Sequence, residues 1–186
     1  AFSSIELLNP ADKVGIVAFD WEKMWSVPIT SARQRQAIAD ELSRLRESGG
    51  TNMYPALEGA FKQLQQVDAA RKHIIVLSDG RTEEAEFQTL VQSMIQADIS
   101  VSTVSIGKDS DRELMQNIAH WGGGRSYFTD DPTNIPNIFT GETKIVTKEL
   151  IEERDMLPAP VSPHEILQEI DETALPMIFG QVLTYP

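Results

Sequence analysis

Cysteine is absent from all 186 residues, and only three histidines occur. Without a thiol the chain can form no disulfide, no thiolate nucleophile and no thiolate metal site. His73, His120 and His164 are scattered, with no HxxxH or HExxH spacing that would hold zinc. Positive charge is scarce too: 16 Lys and Arg stand against 28 Asp and Glu, a net charge of −12. Such a surface repels nucleic-acid phosphates and anionic headgroups, so no nucleic-acid role is expected; a divalent cation or a basic partner suits it better. No apolar run approaches the roughly 20 residues that span a bilayer, so this chain is expected to make no direct membrane contact. A G-x-S-x-G elbow is missing as well, and nothing marks a base or an oxyanion hole beside Ser78.

What is present has a regular order. Hydrophobic residues make up 41% and charged residues 24%, enough apolar material for one α/β domain with an appendage. Residues 1–8 read as the end of a helix stopped by Asn9-Pro10. Val14 to Phe19 is a continuous apolar run of strand length, and Met24 to Val27 predicts a short edge strand ended by Pro28. Helical spacing follows over 33–47, closed by Gly49-Gly50, and again over 54–67. Then come a strand at 73–77, a helix at 83–97, a β-branched strand at 99–106, a helix at 111–121 and a short strand at 125–128. The run Gly122-Gly123-Gly124 reads as a helix cap and turn. Strand–helix alternation of this kind predicts a Rossmann-like, mostly parallel sheet with helices on both faces. A further helix is expected over 135–154. The proline-rich stretch 157–163 then leads to an apolar segment at 177–183. The expected division is a domain over 1–150 and a linker with the start of a following region over 151–186.

In an open α/β sheet, ligands gather beyond the carboxyl ends of the strands. Two segments fall there. Leu77-Ser78-Asp79-Gly80 ends a strand with a carboxylate, and Gly49-Gly50-Thr51-Asn52 places a hydroxyl before a helix. A hydroxyl and a carboxylate are oxygen donors of the type Mg²⁺ prefers. The same residues have plainer uses: Thr51 or Asn52 as a helix cap, Asp79-Gly80 as a turn. Trp21, Trp25 and Tyr54 stand near the same rim, either to contact a partner or to cover a helix.

The blocks Asp12–Phe19, Gly50–Leu57 and Ile75–Gly80, followed by Gly122–Phe128, resemble successive segments of the von Willebrand factor A family. The resemblance covers roughly residues 1–150. It implies a Rossmann-like sheet and a metal-ion-dependent adhesion site in which Thr51 and Asp79 occupy ligand positions. The family's first motif, Asp-x-Ser-x-Ser at the end of the first strand, has no counterpart here, because that strand is expected to lie before Ala1. The implied site is therefore incomplete and expected to be empty in this chain, with Mg²⁺ belonging to the intact parent. The tail is similar to part of bacterial membrane-anchored proteins that carry a glutamine-amidotransferase-like region, which implies a membrane-associated parent. The function expected is a protein-interaction module with a protein partner; the alternative is part of a hydrolase or an amidotransferase-like enzyme. The chain has neither Cys nor a suitable Ser–His pairing, which favours the non-enzymatic reading. With its first strand missing, the sheet would have a gap for the segment 177–183 to fill, within one chain or in a strand-swapped homodimer.

Overall fold

The computed structural model describes residues 5–6, 8–19, 24–44, 52–79, 81–147, 151–152 and 181–182. Strand β1 (Lys13–Phe19) pairs antiparallel with β2 (Met24–Ser31). Pro28 does not end β2. It sits where the register slips, with Pro28 and Ile29 opposite the single residue Gly15. A bulge is a place where a strand tolerates a residue without an N–H. Gly15 is required opposite it, since a Cβ there would lie 2.8 Å from Ile29 Cγ1. A short 3₁₀ turn leads into α1 (Arg35–Ser43), held by the Ala32 N–H donating to the Asp12 carbonyl at 2.9 Å.

Helix α2 (Met53–Gln65) buries Met53, Ala56, Leu57 and Phe61, one stripe at helical spacing. Strand β3 (Lys72–Ser78) follows, then α3 (Phe87–Gln96), β4 (Ile99–Ile106), α4 (Arg112–Trp121), β5 (Gly123–Thr129) and α5 (Ile135–Thr147). The order β3–β4–β5 is a three-stranded parallel sheet. β4 lies in its centre and is buried along almost its whole length. Its two faces meet different helices. Thr103 turns toward α4 and donates to the Met115 carbonyl at 2.8 Å, while Ser102 turns toward α5. The apolar core joins Val91, Met94, Ile99, Val101, Met115 and Ile118 with α2. The α/β architecture with a parallel sheet between helices is the one the alternation implies.

Several boundaries differ from the sequence reading. α3 begins at Phe87 instead of residue 83, because Thr82 is tied to the start of α2 and holds 81–86 out of the helix. β5 takes in Gly123 and Gly124, which were expected to form a turn. A Cβ on Gly124 would stand 2.1 Å from the Val101 carbonyl oxygen, so the close approach of β5 to β4 needs glycine there. α5 is described to Thr147 and does not run to residue 154, because Ile151–Glu152 form a strand. Ile151–Glu152 (β6) pairs antiparallel with Gln181–Val182 (β7). Of the expected N-terminal helix, residues 5, 6 and 8 fall among the described residues, and of these Ile5 is helical and buried.

By its contacts the chain divides into 1–146 and 147–186. Among the described residues β1 pairs only with β2, and β3 only with β4. The apolar segment 177–183 contributes its described residues to the β6–β7 pair and not to either open edge.

Candidate functional site

All three parallel strands point their carboxyl ends to one rim, where Ser78, Ile106 and Thr129 end β3, β4 and β5. Asp79 follows Ser78 directly and is exposed. Ser78 itself is buried. Beyond them, the Thr82 hydroxyl accepts from the Met53 N–H at 3.1 Å. This bond satisfies one of the donors left open at the start of α2, a role that the sequence reading gave to Thr51 or Asn52. Asn52 occupies the cap position without a side-chain hydrogen bond to the helix. The structure therefore brings the Asp79 loop and the start of α2 together. Thr51 lies outside the described residues, so its distance to Asp79 is not defined. Tyr54 packs edge-on against Phe87, ring centroids 5.4 Å apart, and so covers the α2–α3 contact.

A hard dication such as Mg²⁺ takes about six oxygen ligands. Among the described residues no group of three or more acidic or histidine side chains gathers anywhere. Asp79 is the carboxylate at the strand end, and one carboxylate with its neighbours does not make that shell. The described donors alone do not fit a tightly held cation.

The densest polar arrangement is elsewhere and was not singled out from the sequence. Glu142 of α5 is fully buried. Its Oε2 accepts from Arg125 Nε at 2.9 Å and from the Tyr127 hydroxyl at 2.6 Å. Its Oε1 accepts from Arg125 Nη2 at 2.9 Å and from the Ser102 hydroxyl at 2.5 Å. His73 of β3 brings Nε2 to 3.2 Å from Oε1, without the alignment of a hydrogen bond. Its Nδ1 shares a 2.7 Å hydrogen bond with the Ser100 hydroxyl. The tautomer with the proton on Nε2 faces a hydrogen toward the carboxylate and lets Ser100 donate to Nδ1. It is the electrostatically favoured one.

Burial drives the Glu142 carboxyl toward a higher pKa, but hydrogen bonds from Arg125, Ser102 and Tyr127 and the Arg125 charge outweigh it, so the group lies below its ordinary value. Burial lowers the His73 pKa, with the Glu142 charge opposing and the Arg125 charge assisting. The ring is neutral at pH 7. Burial and the hydrogen bond to Glu142 push the Tyr127 hydroxyl up. Chemically this is a clamp: one buried helix carboxylate is satisfied by donors from β4 and β5, with the His73 ring of β3 against it. A sequence signal for it existed. Glu142 takes an inward position of the stripe Ile135, Phe139, Glu142, Val146, where an apolar residue is the default.

Comparison with known proteins bears on the family and the fold. The family model described as "von Willebrand factor type A domain" matches residues 2–141. A solved structure of a von Willebrand factor type A protein from Catenulispora acidiphila is 25% identical, with a TM-score of 0.72, covering 83% of this chain and 38% of that one. Proximal thread matrix protein 1 from the mussel byssus, solved with a zinc-occupied MIDAS motif, is 14% identical, with a TM-score of 0.66, covering 77% of this chain and 38% of that one. The uncharacterized protein sll0103 of Synechocystis is 23% identical over 143 residues, 75% of this chain. The chain spans 34% of that relative's length.

Proposed function

Since the chain belongs to the von Willebrand factor type A domain family, we propose that it is a protein-interaction module, non-enzymatic, whose partner docks on the rim carrying Asp79. The observation behind this is the exposed Asp79 carboxylate at the end of β3, on the segment whose Thr82 holds the start of α2. In the intact parent, Thr51 and Asp79 supply oxygens to a divalent cation, and a carboxylate from the partner completes its shell. The zinc-occupied motif of the mussel protein supports a cation at such a rim. In this chain, by contrast, the donors among the described residues are too few, and Mg²⁺ is expected to bind no better than to any acidic surface. The parent is membrane-associated, a reading that rests on the likeness of the tail to bacterial membrane-anchored proteins. No helix among the described residues is long and apolar enough to cross a membrane.

Calorimetric titration with Mg²⁺ at moderate salt tests the first part. The 186-residue chain should give no saturable isotherm, while a chain extended upstream through one more strand should bind one ion and lose it on Asp79→Ala. In that longer chain, capture of an acidic peptide should require Mg²⁺. A 1:1 isotherm from the present chain, abolished by Asp79→Ala, would overturn the incomplete site. Peptide capture indifferent to both Mg²⁺ and Asp79→Ala would overturn the docking rim.

A further inference from the structure

At the opposite end of the parallel sheet, where β3, β4 and β5 begin, lies an open cleft of about 290 Å³. Its walls include Arg71, Lys72, His73, Asp98, Ser100 and Arg125. Among the described residues that line it, three permanent cations therefore accompany one carboxylate, in a chain whose overall charge is −12. We propose that this cleft binds a small oxyanion, a phosphate monoester or a carboxylate, through Lys72 and Arg125 with Arg71 beside them.

The side chains present fit that chemistry. Arg125 spends Nε and Nη2 on Glu142, which leaves part of its five-donor fork, and its side chain is 44% exposed. A planar guanidinium beside an ammonium is the usual pairing for an oxyanion. Glu142, directly behind Arg125, takes up much of that charge, while Lys72 stands beside it in the cleft wall. His73 lines the same cleft with its side chain only 8% exposed, its Nε2 facing Glu142 Oε1 at 3.2 Å. The volume lies near the lower end of small-ligand pockets, roughly 300–1,000 Å³, and so admits a compact anion and excludes a dinucleotide.

There is a plainer use for these cations. Arg71 donates to the Val146 carbonyl at 3.0 Å in the last turn of α5, where positive charge complements the helix dipole. A dipole partner alone does not create a saturable site, and that separates the two.

The 186-residue chain, labelled with ¹⁵N, is titrated at low ionic strength with inorganic phosphate and separately with citrate, with sodium chloride as the ionic-strength control. The expected result is saturable shifts confined to the amides of Gly123, Gly124 and Arg125 and to the His73 ring. Lys72→Glu should weaken binding about tenfold or more, equivalent to about 1.4 kcal/mol, without moving the thermal midpoint. Lys108→Glu, the same charge change at the other end of the sheet, should leave binding unchanged. Saturation by phosphate alone, or by both anions, supports the site and sets its class. Shifts that fail to saturate, that chloride reproduces, or that Lys72→Glu leaves intact overturn it.

Discussion

A single carboxylate, Glu142, ties α5 to three strands. It keeps its charge in the interior because Arg125, Tyr127 and Ser102 all donate to it. Removing one partner of a buried pair costs about 3–5 kcal/mol, and the half-exposed Arg125 places Glu142→Gln toward the lower figure. Urea unfolding should show that loss; a change below about 1 kcal/mol would mean that the cluster holds little of the fold together. The same cluster sets the response to acid. His73 lies below its ordinary value of 6.5, so on acidification the unfolded chain takes up a proton that the folded chain refuses. Its contribution is complete above pH 6.5 and is lost as pH falls toward the folded value. Glu142 lies below its ordinary 4.5, so its stabilisation holds above that pH and disappears as pH drops through the lower folded value. The thermal midpoint should therefore fall in two stages as the pH is lowered from 8. His73→Gln should remove the first stage and keep the second. A midpoint flat between pH 7.5 and 5.5 in the unaltered chain would contradict the buried neutral ring, whose ordinary pKa of 6.5 lies in that interval.

At the scale of elements, two contacts decide where helices start and how close strands lie. Thr82→Ala removes the hydroxyl that accepts from Met53 and should cost about 1 kcal/mol, as loss of a helix cap does. It should also loosen the Asp79 loop, seen as faster amide exchange at Met53; protection there equal to that of the unaltered chain would show that the tether is idle. Gly124→Ala drives a methyl into the Val101 carbonyl and should destabilise by about 1–3 kcal/mol in a urea melt, more than Gly141→Ala, where a Cβ meets nothing within 4 Å. The contrast shows which features the sequence carried openly. β3 announces itself as an apolar run and β4 as a β-branched one, as strands covered by helices do. The rim position of Asp79 follows from the same pattern. Gly123 and Gly124 carry no such mark: a glycine triplet suits a turn and a close strand approach equally, and only the distance to Val101 decides. The Thr82 tether joins residues 29 apart in sequence, and the Glu142 cluster joins residues up to 69 apart, His73 to Glu142. Local spacing does not encode such pairings.

For the whole molecule, the open edges matter most. Among the described residues, β1 and β3 each present one edge with no strand against it. Unpaired N–H and C=O groups along an apolar strand are a template for another chain. The tail segment 177–183 was the expected filler, yet its described residues, Gln181–Val182, pair with Ile151–Glu152 inside the second unit. Among the described residues those edges are thus open to association between copies. Sedimentation velocity over a range of concentrations should show a reversible shift from monomer to dimer or larger species. Deleting residues 153–186 removes β7 and should leave that shift in place, with the thermal midpoint of the first unit unchanged. High salt should not weaken the association and should strengthen it, because a net charge of −12 opposes contact between copies and is screened by ions. A shortened chain that stays monomeric at every concentration would show that the tail, exchanged between copies, makes the contact. A shortened chain that unfolds would show that it closes the gap within one.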